Sequence, residues 1–303
     1  MAVSVFKMSR RVRRNLAWGL LFISPWIIGF LAFLVYPTLA SFYYSFTSFS
    51  IVQRPEWLGL GNYTKLLLHD DNFVQSLLNT LYMVVLQIPL AIVLSFLSAL
   101  LLNMKVRGLA IYRTIYFLPS VVPPIAASLL WVWILNPQQG IINDILKLVG
   151  LHAPGWFADP YWSKPAVILM GLWGVGGSTV LFLAALQGVP KGLYEAATLD
   201  GANWLHQTLN ITIPLVSPVT LFMLITGIID AFQIFTPVYV VNQGTSGAPQ
   251  GSLLFYTLYL FANAFNYMKM GYASAMAWIL FLIIILITIV MLRTSTYWTH
   301  YDL

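Results

Sequence analysis

Long apolar runs separated by short polar stretches set the plan of this chain. Crossing a hydrocarbon core of about 30 Å takes about 20 apolar residues in helical form. Six stretches qualify: one within 15–53, one within 72–104, then 114–136, 165–187, 210–241 and 271–292. All are free of formal charge at their centres except the fifth, which carries Asp230. In lipid every backbone amide has to be satisfied within its own segment, so each run is expected to be a helix and not a strand. The pattern predicts an all-α membrane protein with six transmembrane helices. Residues 1–14 form a basic tail, 15–72 the first helix and its following loop, 73–293 the helical core and 294–303 a closing tail.

Prolines punctuate the runs: Pro25 and Pro37 in the first, Pro89 in the second, Pro119, Pro123 and Pro124 in the third, Pro214, Pro218 and Pro237 around the fifth. Each removes an amide donor and crowds the preceding turn, so each kinks a helix or marks its end. Such breaks suit a wet pathway through the bundle and equally suit kinked packing.

Composition agrees with this plan and removes several function classes. Of 303 residues, 59% are hydrophobic and 8% charged, against about 25% charged in soluble domains. With no cysteine, disulfides, thiolate metal sites and cysteine nucleophiles are excluded. The net charge of +6 is scattered between apolar runs and does not form the concentrated patch that nucleic acid requires. It reads better as topology. With the N-terminus inside, Lys7, Arg10, Arg11, Arg13, Arg14, Lys105, Arg107, Arg113, Lys191 and Arg293 face the cytoplasm, against Arg54, Lys65, Lys147, Lys164 and Lys269 outside. Ten against five places both termini inside. The first run is also too long for the h-region of a cleaved signal, so it is expected to remain as a helix.

Two places carry candidate chemistry. The first is the inward loop of residues 189–214. Residues 193–199 favour helix, and Gly201 permits a backbone turn that other residues resist. A second short helix can follow. Leu193, Ala196 and Ala197, with Trp204 and Leu205, form an apolar face on a cytoplasmic loop that no other part of the chain is large enough to cover, which points to a partner surface.

The second place is Asp230. An acid in mid-membrane costs about 2.5–3.5 kcal/mol on insertion scales, so it should face a cavity or a partner. Helical spacing puts Thr226, Asp230, Gln233 and Pro237 on one polar face, with Phe232, Phe235, Trp173 and Tyr239 as aromatic platforms for a sugar. Hydrogen bonding of Asp230 and Gln233 to a neighbouring helix is the alternative. The run Gly174–Thr179 reads as close helix packing or a ligand loop, and it lacks the lysine of a phosphate-cradling motif. Histidines 69, 152, 206 and 300 show no metal-ligand spacing, and no pair of acids shares a helix face in the spans, so neither metal nor cofactor nor catalytic cluster is expected.

Glu195, Ala196 and Ala197, then Gly201, Ile211 and Pro214, resemble the EAA loop of binding-protein-dependent ABC importer permeases, departing only at Ile213, where leucine is usual. Ser24-Pro25-Trp26, Tyr36-Pro37, Tyr43-Tyr44-Ser45-Phe46, Gly61-Asn62-Tyr63, Asn79-Thr80, Ala264-Phe265 and Gly271-Tyr272-Ala273-Ser274-Ala275 are similar to the sugar branch, with its maltose-type and glycerol-phosphate-type permeases. The resemblance implies a type I ABC importer fold with a cytoplasmic coupling helix between the fourth and fifth spans. In it Glu195, Ala196, Ala197, Asp200 and Gly201 engage an ATPase. It also implies a second permease, forming a heterodimer, two ATP-binding subunits and an extracytoplasmic solute-binding protein. The expected function is import of a sugar or oligosaccharide, with ATP hydrolysed by a separate subunit. An importer of another solute, such as a peptide or a phosphorylated polyol, is the main alternative. An ion-coupled transporter is disfavoured because Asp230 stands alone and no internal repeat is visible.

Overall fold

The computed structural model describes residues 9–104, 106–245 and 247–300. Lys7 and Lys105 of the charge count, Ser246 and the last three residues therefore lie outside the described residues. Among the described residues regular structure is helical, with an isolated antiparallel bridge between Thr47 and Trp57.

The first span is continuous from Arg10 to Ser45. Within it α1 (Arg10–Phe30) passes through a π-helical turn, Leu31–Val35, into α2 (Tyr36–Ser45). The wider turn falls just before Pro37, where an amide donor is missing, and so takes up the irregularity without ending the helix. The short α3 (Gly61–His69) leads to α4 (Asp71–Leu102), the second span. Asp70 caps α4 by accepting from the Phe73 amide at 3.1 Å.

The third span bends, in line with its prolines, and the fourth departs from the expectation of a plain helix. The third is α5 (Leu109–Val121) and α6 (Pro124–Ile134), which meet at 99°. Val122 precedes Pro123 and is held in the extended region, as a residue before proline usually is, so the helix cannot continue through it. The helix α7 (Ile141–Leu148) follows on the loop, and the fourth span is α8 (Pro160–Trp173) and α9 (Gly176–Gly188), bent by 50° at Gly174-Val175. Four helices are thus long and apolar enough to cross a membrane, and six spans result when each bent pair is one.

The fifth span, Trp204–Asn242, starts earlier than its apolar run because α11 (Trp204–Gln207) and a π turn, Thr208–Thr212, lead without a break into α12 (Ile213–Phe232). Here too a π turn precedes a proline, Pro214. The span continues past a break at residues 233–235 into α13 (Thr236–Asn242). Beyond it come α14 (Tyr256–Phe261), a π turn at Ala262–Asn266 and the last span, α15 (Met270–Ser295).

The second span is the axis of the bundle, with α4 packed against α8, α9, α12 and α14. Near its N-terminal end, polar ties hold the loops. The amide of Asn79 donates to the Gly251 and Leu254 carbonyls at 2.8 and 3.0 Å and its oxygen accepts from Lys164 Nζ at 2.9 Å. Thr80 Oγ1 accepts from the Tyr256 amide at 2.9 Å, and Tyr256 donates to the Met276 carbonyl at 2.7 Å. Asn62 donates to the Ser45 and Thr47 carbonyls, both at 2.9 Å. A Cβ on Gly271 would lie 2.2 Å from the Thr47 carbonyl oxygen. The Gly-Asn-Tyr, Asn-Thr and Gly-Tyr sequences at 61–63, 79–80 and 271–272 thus have a physical account as clasps between spans.

Gly176 makes a comparable close approach: a Cβ there would lie 2.4 Å from the Tyr116 backbone oxygen of α5. Gly176→Ala is therefore expected to force α5 and α9 apart, at a cost of about 1–3 kcal/mol typical of overpacking. Thermal unfolding of the detergent-solubilised protein should show a lowered Tm, and an unchanged one would mean that the crossing is looser than described.

Candidate functional site

The 189–214 loop is built as two helices around a glycine. Pro190 opens α10 (Lys191–Leu199). The helix closes with the Ala202 amide on the Ala197 carbonyl at 2.9 Å and the Gly201 amide on Thr198 at 3.1 Å. This paired closure needs a left-handed residue, and Gly201 has φ +81°. Asn203 then caps α11 by accepting from the His206 amide at 2.8 Å.

The loop presents several large apolar groups that this chain leaves uncovered. Leu199 is 90% exposed, Trp204 65% and Leu205 56%. Glu195, Ala196 and Asp200 are exposed too, while Ala197 is half-buried. The Glu195 carboxylate makes no hydrogen bond or ion pair among the described residues, where the one salt bridge joins Lys147 and Asp144. Among the described residues this acid is therefore uncommitted and stands beside exposed apolar groups.

The second site is a cavity of about 410 Å³ between α4, α6, α8, α9, α12 and α13. Most of its wall is apolar, and its polar groups are few: Gln87, Ser128, Ser178, Thr226 and Asp230. Thr226 and Asp230 lie one turn apart on α12, and Pro237 of α13 completes that side. Thr226 spends its hydroxyl proton on the Phe222 carbonyl at 2.9 Å, whereas the Asp230 side chain is exposed and makes no hydrogen bond among the described residues.

The other sequence-designated residues lie elsewhere. Gln233 is the residue after α12, with φ −102° and ψ 12°, so helical periodicity fails there and its side chain is not part of the cavity wall. Phe232 is 1% exposed and packs in the core with Ile228 and Tyr256. Trp173 contacts Trp131 edge-on, ring centres 6.2 Å apart, outside the cavity lining. Phe235 and Tyr239 pack on each other and on Phe261. The run 174–179 is divided between both of its readings: Gly176 serves helix packing, while Gly174 and Ser178 line the cavity.

Sequence reasoning missed Gln87 and Ser128. Gln87 had a usable signal, as an amide in the middle of an apolar run meets the same insertion argument as Asp230. Its Oε1 is buried and has no hydrogen-bond partner among the described residues. The amide packs against Gly171, where a Cβ would come within 2.2 Å of Gln87 Nε2 and the glutamine side chain would have to swing aside.

Comparison with known proteins extends the reading beyond the geometry. The family described as "Binding-protein-dependent transport system inner membrane component" matches residues 73–297. The probable ABC transporter permease protein YesP of Bacillus subtilis (strain 168) is 41% identical over 298 residues, covering 98% of this chain and 96% of that protein. The lactose transport system permease protein LacF of Rhizobium radiobacter is 34% identical, covering 88% of this chain and 90% of its own length. A chain of the bacterial ABC transporter that imports the acidic polysaccharide alginate, solved with its pentasaccharide-bound periplasmic protein, superposes with a TM-score of 0.81. It covers 96% of this chain and 97% of that one at 22% identity, a likeness of fold. The apolar spans, their order and these matches identify a multi-pass membrane protein with the fold of type I importer permeases, and the chain belongs to the family of inner membrane components of binding-protein-dependent transport systems.

Proposed function

We propose that this chain is a permease subunit of an ATP-driven importer and forms, with a second permease, the path for a sugar or oligosaccharide delivered by a solute-binding protein. The observation that carries the reading is the 189–214 loop: a folded helical hairpin with exposed apolar residues and an unpaired glutamate. A hairpin of this kind supports docking to a cytoplasmic ATPase, with α10 as the coupling helix, and hence both termini on the cytoplasmic side. Glu195, Ala196, Ala197, Asp200 and Gly201 are the coupling residues in this account. The two alanines let the partner approach closely, Gly201 sets the turn, and Glu195 meets a basic group.

The sugar assignment draws on the relative whose name specifies lactose. The cavity is consistent with it, since a few hydrogen-bonding groups on an apolar wall suit a polyhydroxylated solute in transit. Asp230 and Thr226 are placed on the path, joined by Gln87. Gln233, Phe232 and Trp173 would contribute only indirectly, as ends and walls of α12 and α8. The first helix, α1, has no buried residue in this chain alone and so is free to face lipid or a second permease.

The test is reconstitution of this chain with its second permease, ATPase and binding protein in liposomes. The account expects uptake of a labelled neutral oligosaccharide only with ATP inside. Uptake driven by an ion gradient without ATP would contradict it.

A further inference from the structure

The coupling hairpin is closed by a ring of hydrogen bonds that the EAA sequence does not contain. Tyr194, on α10, meets Thr212 of the π turn, hydroxyl to hydroxyl at 2.9 Å. Thr212 Oγ1 is also 3.4 Å from the Gln207 carbonyl, which can only accept, so the Thr212 proton points there and Tyr194 is the donor to Thr212. From Gln207 the ring returns through its side chain: Nε2 donates to Thr198 Oγ1 at 3.0 Å, and Thr198 donates to the Tyr194 carbonyl at 2.7 Å. Four residues thus link α10, α11 and the π turn.

Burial sets the worth of the links. Gln207 and Thr198 meet at an exposed position, where water competes for both groups. Thr212 is 3% exposed, and the Tyr194 ring packs on the apolar cluster that includes Phe182, Leu186 and Val216. In that setting a hydroxyl deprived of its partner has no ready substitute. Thr212 is also the residue immediately before α12, the helix that carries Asp230 and Thr226 along the cavity wall.

The geometry points to Tyr194 and Thr212 as positioning residues for energy coupling: the pair locks the hairpin to the start of α12, so that displacement of α10 moves the cavity-lining helix as one body. This rests on the reading of 189–214 as the ATPase-docking loop. Without the pair, α10 could shift against the π turn, and motion at the docking face would be lost before reaching the cavity.

The experiment uses the complex purified through a tag on this chain and placed in nanodiscs, with the ratio of ATP hydrolysis with and without the loaded binding protein as the readout. Tyr194→Phe and Thr212→Val keep ring and shape while removing the hydroxyls. Each is expected to lower that ratio by roughly three- to tenfold, the worth of one buried hydrogen bond, with no further loss in the double variant. Thr212→Ser, which keeps the hydroxyl, should retain the wild-type ratio, which a loss of packing alone would not predict. Wild-type ratios in both Tyr194→Phe and Thr212→Val would overturn the inference while leaving the docking loop in place. Failure of the wild-type chain to retain any ATPase through purification would overturn the reading on which the inference rests.

Discussion

Glu195→Lys should leave the protein inserted and abundant in the membrane while ATP-driven uptake falls by roughly tenfold or more, as inversion of one member of an interface charge pair does. The side chain is exposed and makes no hydrogen bond or ion pair among the described residues, so the substitution removes no contact there and buries no charge. A lysine there also breaks no helix, since lysine and glutamate have similar helical preference. The loss should therefore appear in transport and in ATPase retention, and not in yield or Tm. Uptake at the wild-type rate by Glu195→Lys would remove Glu195 from the docking account.

Asp230→Ala should reduce uptake by roughly tenfold or more with assembly of the complex intact, the cost of losing a hydrogen bond to a charged group. The carboxylate lines the cavity and makes no hydrogen bond among the described residues, so alanine breaks no hydrogen bond there. An acid at this depth carries an insertion cost of about 2.5–3.5 kcal/mol, and alanine at the same place should insert more readily. The opposite outcome, normal uptake by whatever complex forms but a loss of the second permease during purification, would assign Asp230 to helix packing between subunits. Asp230→Asn separates charge from hydrogen bonding, and retention of uptake by this variant would assign the role to hydrogen bonding.

The helical class and the turn at Gly201 were legible because each follows from a strong local constraint. Lipid enforces helix over some twenty residues, and the backbone at 201 requires a positive φ. The two bent spans were less legible. An apolar run looks the same whether it is straight or folded by 99°. Pro123 marked the first bend, whereas no proline marks the second, at Gly174-Val175.

At the cavity the sequence located Asp230 and Thr226, because a charge in lipid is costly wherever it lies. Extrapolation of the helical face to Gln233 failed, since α12 ends at Phe232 and the period ends with it. Phe232 illustrates a further limit: an aromatic in the right stretch can equally be a core residue, and at 1% exposure it is one. The ring of Tyr194, Thr212, Gln207 and Thr198 had no sequence signal, as each is an ordinary residue whose partner is set by the hairpin's fold.

The most direct test of the account is a cross-link. The chain has no cysteine, so Ala196→Cys introduces a single reactive thiol on the exposed side of α10. With an ATPase subunit carrying one cysteine in its docking cleft, oxidation in native membranes should join the two chains, and the yield should change when ATP is added. No cross-link, with both chains present and folded, would contradict the claim that residues 189–214 receive the energy of ATP hydrolysis.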